Sequence, residues 1–143
     1  MARPNIDNDI YNYVKEQLNE MTLFTPHVMR VQPTKSNKFP LVIIPKGRVV
    51  LNEETLKTKG SDEKAYTITY DVEIFAMDTT INGVQYSKMA IVDTLLEKLQ
   101  EIFEDDLGML GSLPFVRDNA DVNVARILVD FTCKYKNERI YRR

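Results

Sequence analysis

Ala65-Tyr66-Thr67-Ile68-Thr69-Tyr70-Asp71-Val72-Glu73-Ile74-Phe75-Ala76-Met77 decides how the chain folds. Extended, the run puts Ile68, Tyr70, Val72, Ile74 and Ala76 on one side and Thr67, Thr69, Asp71 and Glu73 on the other. A period of two, written in β-branched and aromatic residues, predicts a strand with one buried face. Such a strand belongs inside an antiparallel sheet, with its apolar face covered.

The cover is predicted from the flanks. After an Asn82-Gly83 turn, residues 87–103 form a helix capped by Ser87, with Met89, Val92, Leu95, Leu96, Leu99, Ile102 and Phe103 on its apolar face. Each large side chain buried there contributes about 1.5–3 kcal/mol before entropic costs. An N-terminal helix over residues 7–21 aligns Ile6, Ile10, Tyr13, Val14, Leu18 and Met21, with Asp7 or Asn5 as its cap and Pro26 bounding its far side. That stripe packs on the chain's own sheet or meets a partner.

Shorter elements complete the layer. Residues 28–38, broken by Pro33, read as a loop or weak strand. Phe39-Pro40-Leu41-Val42-Ile43-Ile44-Pro45 is a proline-fenced apolar run, as expected of a strand buried on both faces. Arg48-Val49-Val50-Leu51 returns after Lys46-Gly47. Leu113-Pro114-Phe115-Val116-Arg117 reads as a short edge strand, since proline cannot donate to a ladder. Residues 122–136 alternate again, with Ala125, Ile127, Val129, Phe131, Cys133 and Tyr135 on the apolar face. The expected fold is a two-layer α+β domain: an antiparallel sheet of about four to five strands carrying an N-terminal helix and a central amphipathic helix.

The 143 residues suit one domain. A net charge of −2 lacks the basic excess of a nucleic-acid binder. With one cysteine there is no internal disulfide to form. Met1-Ala2-Arg3-Pro4-Asn5 has no apolar signal-peptide core, and no run reaches the ~18–20 apolar residues of a membrane span. The expectation is a chain made in a reducing cytoplasm, with no membrane partner.

Reactive chemistry has little to build on. One histidine and one cysteine leave a zinc site to carboxylates. His27, beside Pro26 in an expected loop, reads as a surface or packing residue, and Cys133 as a small core residue. Gly108 and Gly111 follow a helix and precede no lysine, so they do not make a phosphate loop. Tyr66 and Tyr70 lie on the apolar face of their strand and read as core rather than as a base-stacking platform. No catalytic residue, metal ligand or cofactor site is assigned.

Two charged stretches stand out. Residues 52–64 have Leu56 as their large apolar residue and form either a solvated loop or an assembly arm, with Glu53, Glu54, Lys57 and Lys59 as candidate contacts. Glu101, Glu104, Asp105 and Asp106 crowd the end of the central helix, where the dipole disfavours acids. They read as a solvated terminus or as a patch for a basic partner.

The N-terminal helix, the proline-fenced strand 39–44, the central strand with the helix containing Ala90-Ile91-Val92-Asp93-Thr94-Leu95-Leu96, and the closing strand 122–135 together resemble the tail terminator, tail completion and head-tail joining proteins of long-tailed bacteriophages. The charged arm and the basic end, residues 137–143, have no counterpart in that pattern. The resemblance implies a virion structural protein without catalysis. It implies a homo-oligomeric ring, commonly of six copies, at the head-proximal end of the tail tube. The ring stops tube polymerisation and receives the head-tail connector protein, and DNA passes through its lumen without sequence-specific binding. Its partners are then the tail tube protein, the connector protein and further copies of itself. A ring needs a heterologous interface, and the acidic patch is a candidate to meet Arg139, Arg142 and Arg143 of a neighbour. Two alternatives stay open: a small protein-binding module whose sheet edge accepts a strand, and a minor enzyme with a carboxylate site, which tight metal binding would reveal.

Overall fold

A computed structural model describes residues 6–33, 38–51 and 65–136. The chain is α+β. Helix α1 spans Ile6–Asn19, and short strands β1 (His27–Met29), β2 (Leu41–Ile43) and β3 (Arg48–Leu51) follow. The long strand β4 (Ala65–Ala76) leads to the hairpin β5 (Thr79–Ile81) and β6 (Val84–Tyr86), then to helix α2 (Lys88–Gln100) and a π-helical turn, Glu101–Asp106. Strands β7 (Leu110–Gly111), β8 (Phe115–Arg117) and β9 (Ala125–Lys136) close the described chain.

Two twelve-residue strands, β4 and β9, pair antiparallel along their whole length and form the spine of the sheet. Each carries two short strands on its outer edge. β2 and β3 divide the edge of β4, and β7 and β8 divide that of β9. The sheet is larger than expected and mixed, because β1 joins β2 in parallel. His27 therefore stands in a strand, not a loop, and its side chain is exposed. Three residues carry no alternation to read, and only the pairing to β2 makes them a strand.

The helices cover one face. Ile68, Tyr70, Val72, Ile74 and Ala76 of β4 are buried there with Ile127, Val129 and Phe131 of β9. Ile10, Val14 and Leu18 descend from α1, and Ile91, Val92, Leu95 and Leu99 from α2. Ile91 replaces Met89 in the expected contact stripe: Ile91 is buried and Met89 is exposed. At the core's centre Phe103 stacks on Phe131, centroids 4.3 Å apart, and leans on Tyr70. Such pairs add about 0.5–1.5 kcal/mol beyond area burial.

Asp7 does not cap α1. It sits inside the first turn, where Oδ1 accepts hydrogen bonds from Gly47 N (2.9 Å) and the Tyr70 hydroxyl (2.8 Å), and Oδ2 pairs with Arg30 (2.8 Å). Partial burial works to raise its pKa, but the three donors outweigh burial and hold the carboxyl below its usual range. The Tyr70 hydroxyl is pushed up by burial and by that carboxylate. Arg30 also donates to the Ile44 and Pro45 carbonyls and lies 4.5 Å from the Tyr11 ring centre. This network ties α1 to the sheet. Gly47 lets the chain pass close beneath it: a Cβ there would lie 2.8 Å from Ile68.

Candidate assembly surfaces

Helix α2 is positioned by two caps. Ser87 Oγ accepts from Ala90 N, and Asp78 Oδ1 accepts from Lys88 N at 2.7 Å. The preceding β5–β6 turn uses positive φ at Asn82 and Gly83, the turn that suits the twist of a two-residue hairpin. At the far end the helix widens. Leu107 N reaches Ile102 O, Met109 N reaches Phe103 O, and Gly108 closes the turn at φ 69°. The wider turn buries both Ile102 and Phe103 and leaves the acids before and after them exposed.

Those acids define the first surface. Glu101, Glu104 and Asp105, with Glu97 and Gln100 from the preceding turn, line an open hollow of about 430 Å³. Glu97, one helical turn before Glu101, belongs with the patch. Asp106 does not: it turns toward α1 and accepts a hydrogen bond from the Tyr13 hydroxyl at 2.9 Å, which raises the pKa of that hydroxyl. Lys98 approaches Glu101 at 3.7 Å. Arg139, Arg142 and Arg143, like Glu53, Glu54, Lys57 and Lys59, lie outside the described residues.

Beside the acidic hollow is an apolar surface that sequence reasoning placed at an edge without reading its exposure. Leu110, Leu113, Phe115 and Val116 are all exposed, Leu113 by 88%. Met89, Leu96, Phe115 and Val116 help to line an apolar groove of about 200 Å³ between α2 and β8. The available signal was that Leu113, Phe115 and Val116 stand nearly together without alternation, so one strand face cannot bury them all. On the opposite edge β3 exposes Val49 and Val50 next to Lys46 and Arg48.

The face away from the helices is polar at one end and apolar at the other. Arg48 donates to both oxygens of Asp71 (2.6 and 2.9 Å), and Arg126 to both of Glu73 (2.5 and 3.1 Å), with Arg117 nearby at 3.8 Å. Asp71 and Asp130 are direct cross-strand partners. The hydrogen bonds from Arg48 hold Asp71 low, whereas the hydrogen bond to Asp71, together with burial, pushes Asp130 up to about 6. Asp130 Oδ1 is buried without a donor among the described residues. At the other end Leu41, Ile43, Phe75 and Val124 form a small apolar cluster, and a cavity of about 260 Å³ opens beside it, lined also by Gln32, Phe39 and Asn119.

None of these places converges on reactive groups. His27 and Cys133 lie in different rows of the sheet, with β2 and β4 between their strands. Cys133 is half-buried, and burial pushes its thiol up, away from the reactive thiolate. Among the described residues no three His, Cys, Asp or Glu side chains are grouped to hold a metal ion, and no helix is long and apolar enough to cross a membrane.

No protein-family model matches the chain, and no curated protein matches it in sequence. Its fold is similar to that of a chain in the virion of a native gene transfer agent particle, with a TM-score of 0.60 over 94% of this chain and 100% of that one. At 11% identity the similarity is one of fold.

Proposed function

We propose that this chain is a structural virion protein that assembles into a ring, of six copies, at the head-proximal end of a phage tail tube. There it ends tube growth and offers the docking surface for the head connector, while DNA passes through the lumen without being read. The observation that carries this reading is the fold similarity to a virion chain over that chain's full length. Two further features support it. The acidic hollow and the exposed apolar strand edge are adjacent, as a protein contact needs, and among the described residues nothing pairs with the outer edges of β3 and β7. The tail tube protein and the connector protein are the partners this position implies.

Removing the gene for this chain from the producing genome tests the reading. The expected lysate contains tail tubes of irregular length and heads without tails, and restoring the chain in trans restores joined particles. Tails of normal length joined to heads in its absence overturn it.

The exposed edge of β8, with Phe115 and Val116 uncovered, also favours a second reading: a binding module that takes one partner strand. Stoichiometry separates the two, since a module stays a monomer and binds one partner.

A further inference from the structure

Among the described residues the outer edges of β3 and β7 are unpaired, and they match each other. Arg48 of β3 pairs with Thr69 of β4, Thr69 with Thr132 of β9, and Thr132 with Leu110 of β7. Arg48 and Leu110 thus end the same row of residues on opposite sides of the molecule. Both edges are apolar and exposed: Val49 and Val50 on one, Leu110 on the other. Their charges are opposite. Lys46 flanks the β3 edge, whereas Glu104 borders the β7 edge, where a Cβ on Gly111 would lie 3.5 Å from its carboxyl carbon. Glu101 lines the same hollow.

Polarity agrees as well. β3 is antiparallel to β4, β4 to β9, and β9 to β7, so β3 and β7 run in opposite directions. A second copy in the same orientation brings its β3 antiparallel to this copy's β7, at the same height.

We propose that copies of this chain join head to tail, the β3 edge of one against the β7 edge of the next, with Arg48 opposite Leu110, Val50 beside that pair on the same face, and Lys46 close to Glu101 and Glu104. The occupant of each edge is a second copy, because the same chain supplies the complementary charge, direction and row. Such a contact is heterologous and repeats, so it closes into a ring or continues as a filament. Strand pairing and apolar contact provide the affinity, and the charges set register and partner choice. This deepens the ring reading above and rests on it for closure.

The test is a cross-link in the full-length protein with Cys133→Ser. Arg48→Cys together with Leu110→Cys, which the continued row sets opposite one another on neighbouring antiparallel strands of two copies, brings the thiols within disulfide range. Oxidation of the concentrated protein, and of isolated particles carrying it, is expected to give a ladder of linked multimers. Either cysteine alone faces no second thiol across this contact and is expected to give no ladder. Glu101→Lys with Glu104→Lys should abolish the ladder, and adding Lys46→Glu should restore it. As a check free of substitutions, zero-length coupling of mixed light and heavy-isotope chains is expected to join Lys46 of one copy to Glu101 or Glu104 of another. Monomers after oxidation, with no mixed-isotope link, overturn the proposal. Rings seen in particles without these links overturn the interface and leave the ring standing. Links that form while tails end normally without the protein keep the interface and remove the tail role.

Discussion

Asp7 is a single carboxylate that satisfies a buried hydroxyl, a backbone N–H and a guanidinium from three separate parts of the chain. Asp7→Ala leaves the Tyr70 hydroxyl, whose residue is fully buried, without its acceptor and removes the partner of Arg30. The expected loss is about 2–4 kcal/mol in urea unfolding, with a smaller loss for Asp7→Asn. The sequence showed the aspartate and suggested a cap, since its partners at 30, 47 and 70 are distant in sequence. Asp130 gives the pH dependence. Its carboxyl titrates at about 6 in the fold, above the ordinary 3.8. A raised pKa means that the folded state binds the proton more tightly, so the contribution is fully present below pH ~4 and is lost as pH rises through about 6. Asp130→Asn should flatten stability across that window, by a change of ~1 kcal/mol given solvent screening of a partly exposed pair. A wild-type midpoint indifferent to pH between 4 and 7 would contradict the raised pKa of Asp130. Asp71, held low by Arg48, acts at lower pH and with the opposite sign.

At the scale of elements, alternation carried most of the information. β4, β9 and α2 were legible because twelve or thirteen residues of one period outweigh local noise. The Ser87 cap and the Asn82-Gly83 turn were legible because each is local chemistry. β1 was not, being three residues long and held by a parallel pairing that no short-range pattern encodes. The π-helical turn was not legible either. It carries Ile102 and Phe103, both buried, beyond the regular end of α2. Phe103 is the residue this turn delivers to the core. Phe103→Ala removes its stacking on Phe131 and contact with Tyr70, and the expected cost is about 3–5 kcal/mol by denaturant unfolding. Phe103→Leu should retain most of the stability. An equal loss for both would mean that ring geometry, not volume, sets the cost.

Across the whole molecule, what faces inward was readable and what faces outward was only partly so. A core is dictated by the chain's own apolar pattern, whereas an outer surface answers to molecules that the sequence does not contain. The acidic cluster at 101–105 was visible as composition; that Glu97 joins it and Asp106 leaves it depends on helix geometry and on Tyr13. The uncovered β7–β8 edge became visible only once β9 had filled one side of each short strand. On the face away from the helices, Arg48, Arg117 and Arg126 each have a carboxylate of the same chain beside them. A phosphate polymer moving along that face would find most of this positive charge already offset by Asp71 and by Glu73, which Arg117 and Arg126 share. Few condensed counterions would be released on contact, so a long nucleic acid could slide past that face with little friction at either low or high salt.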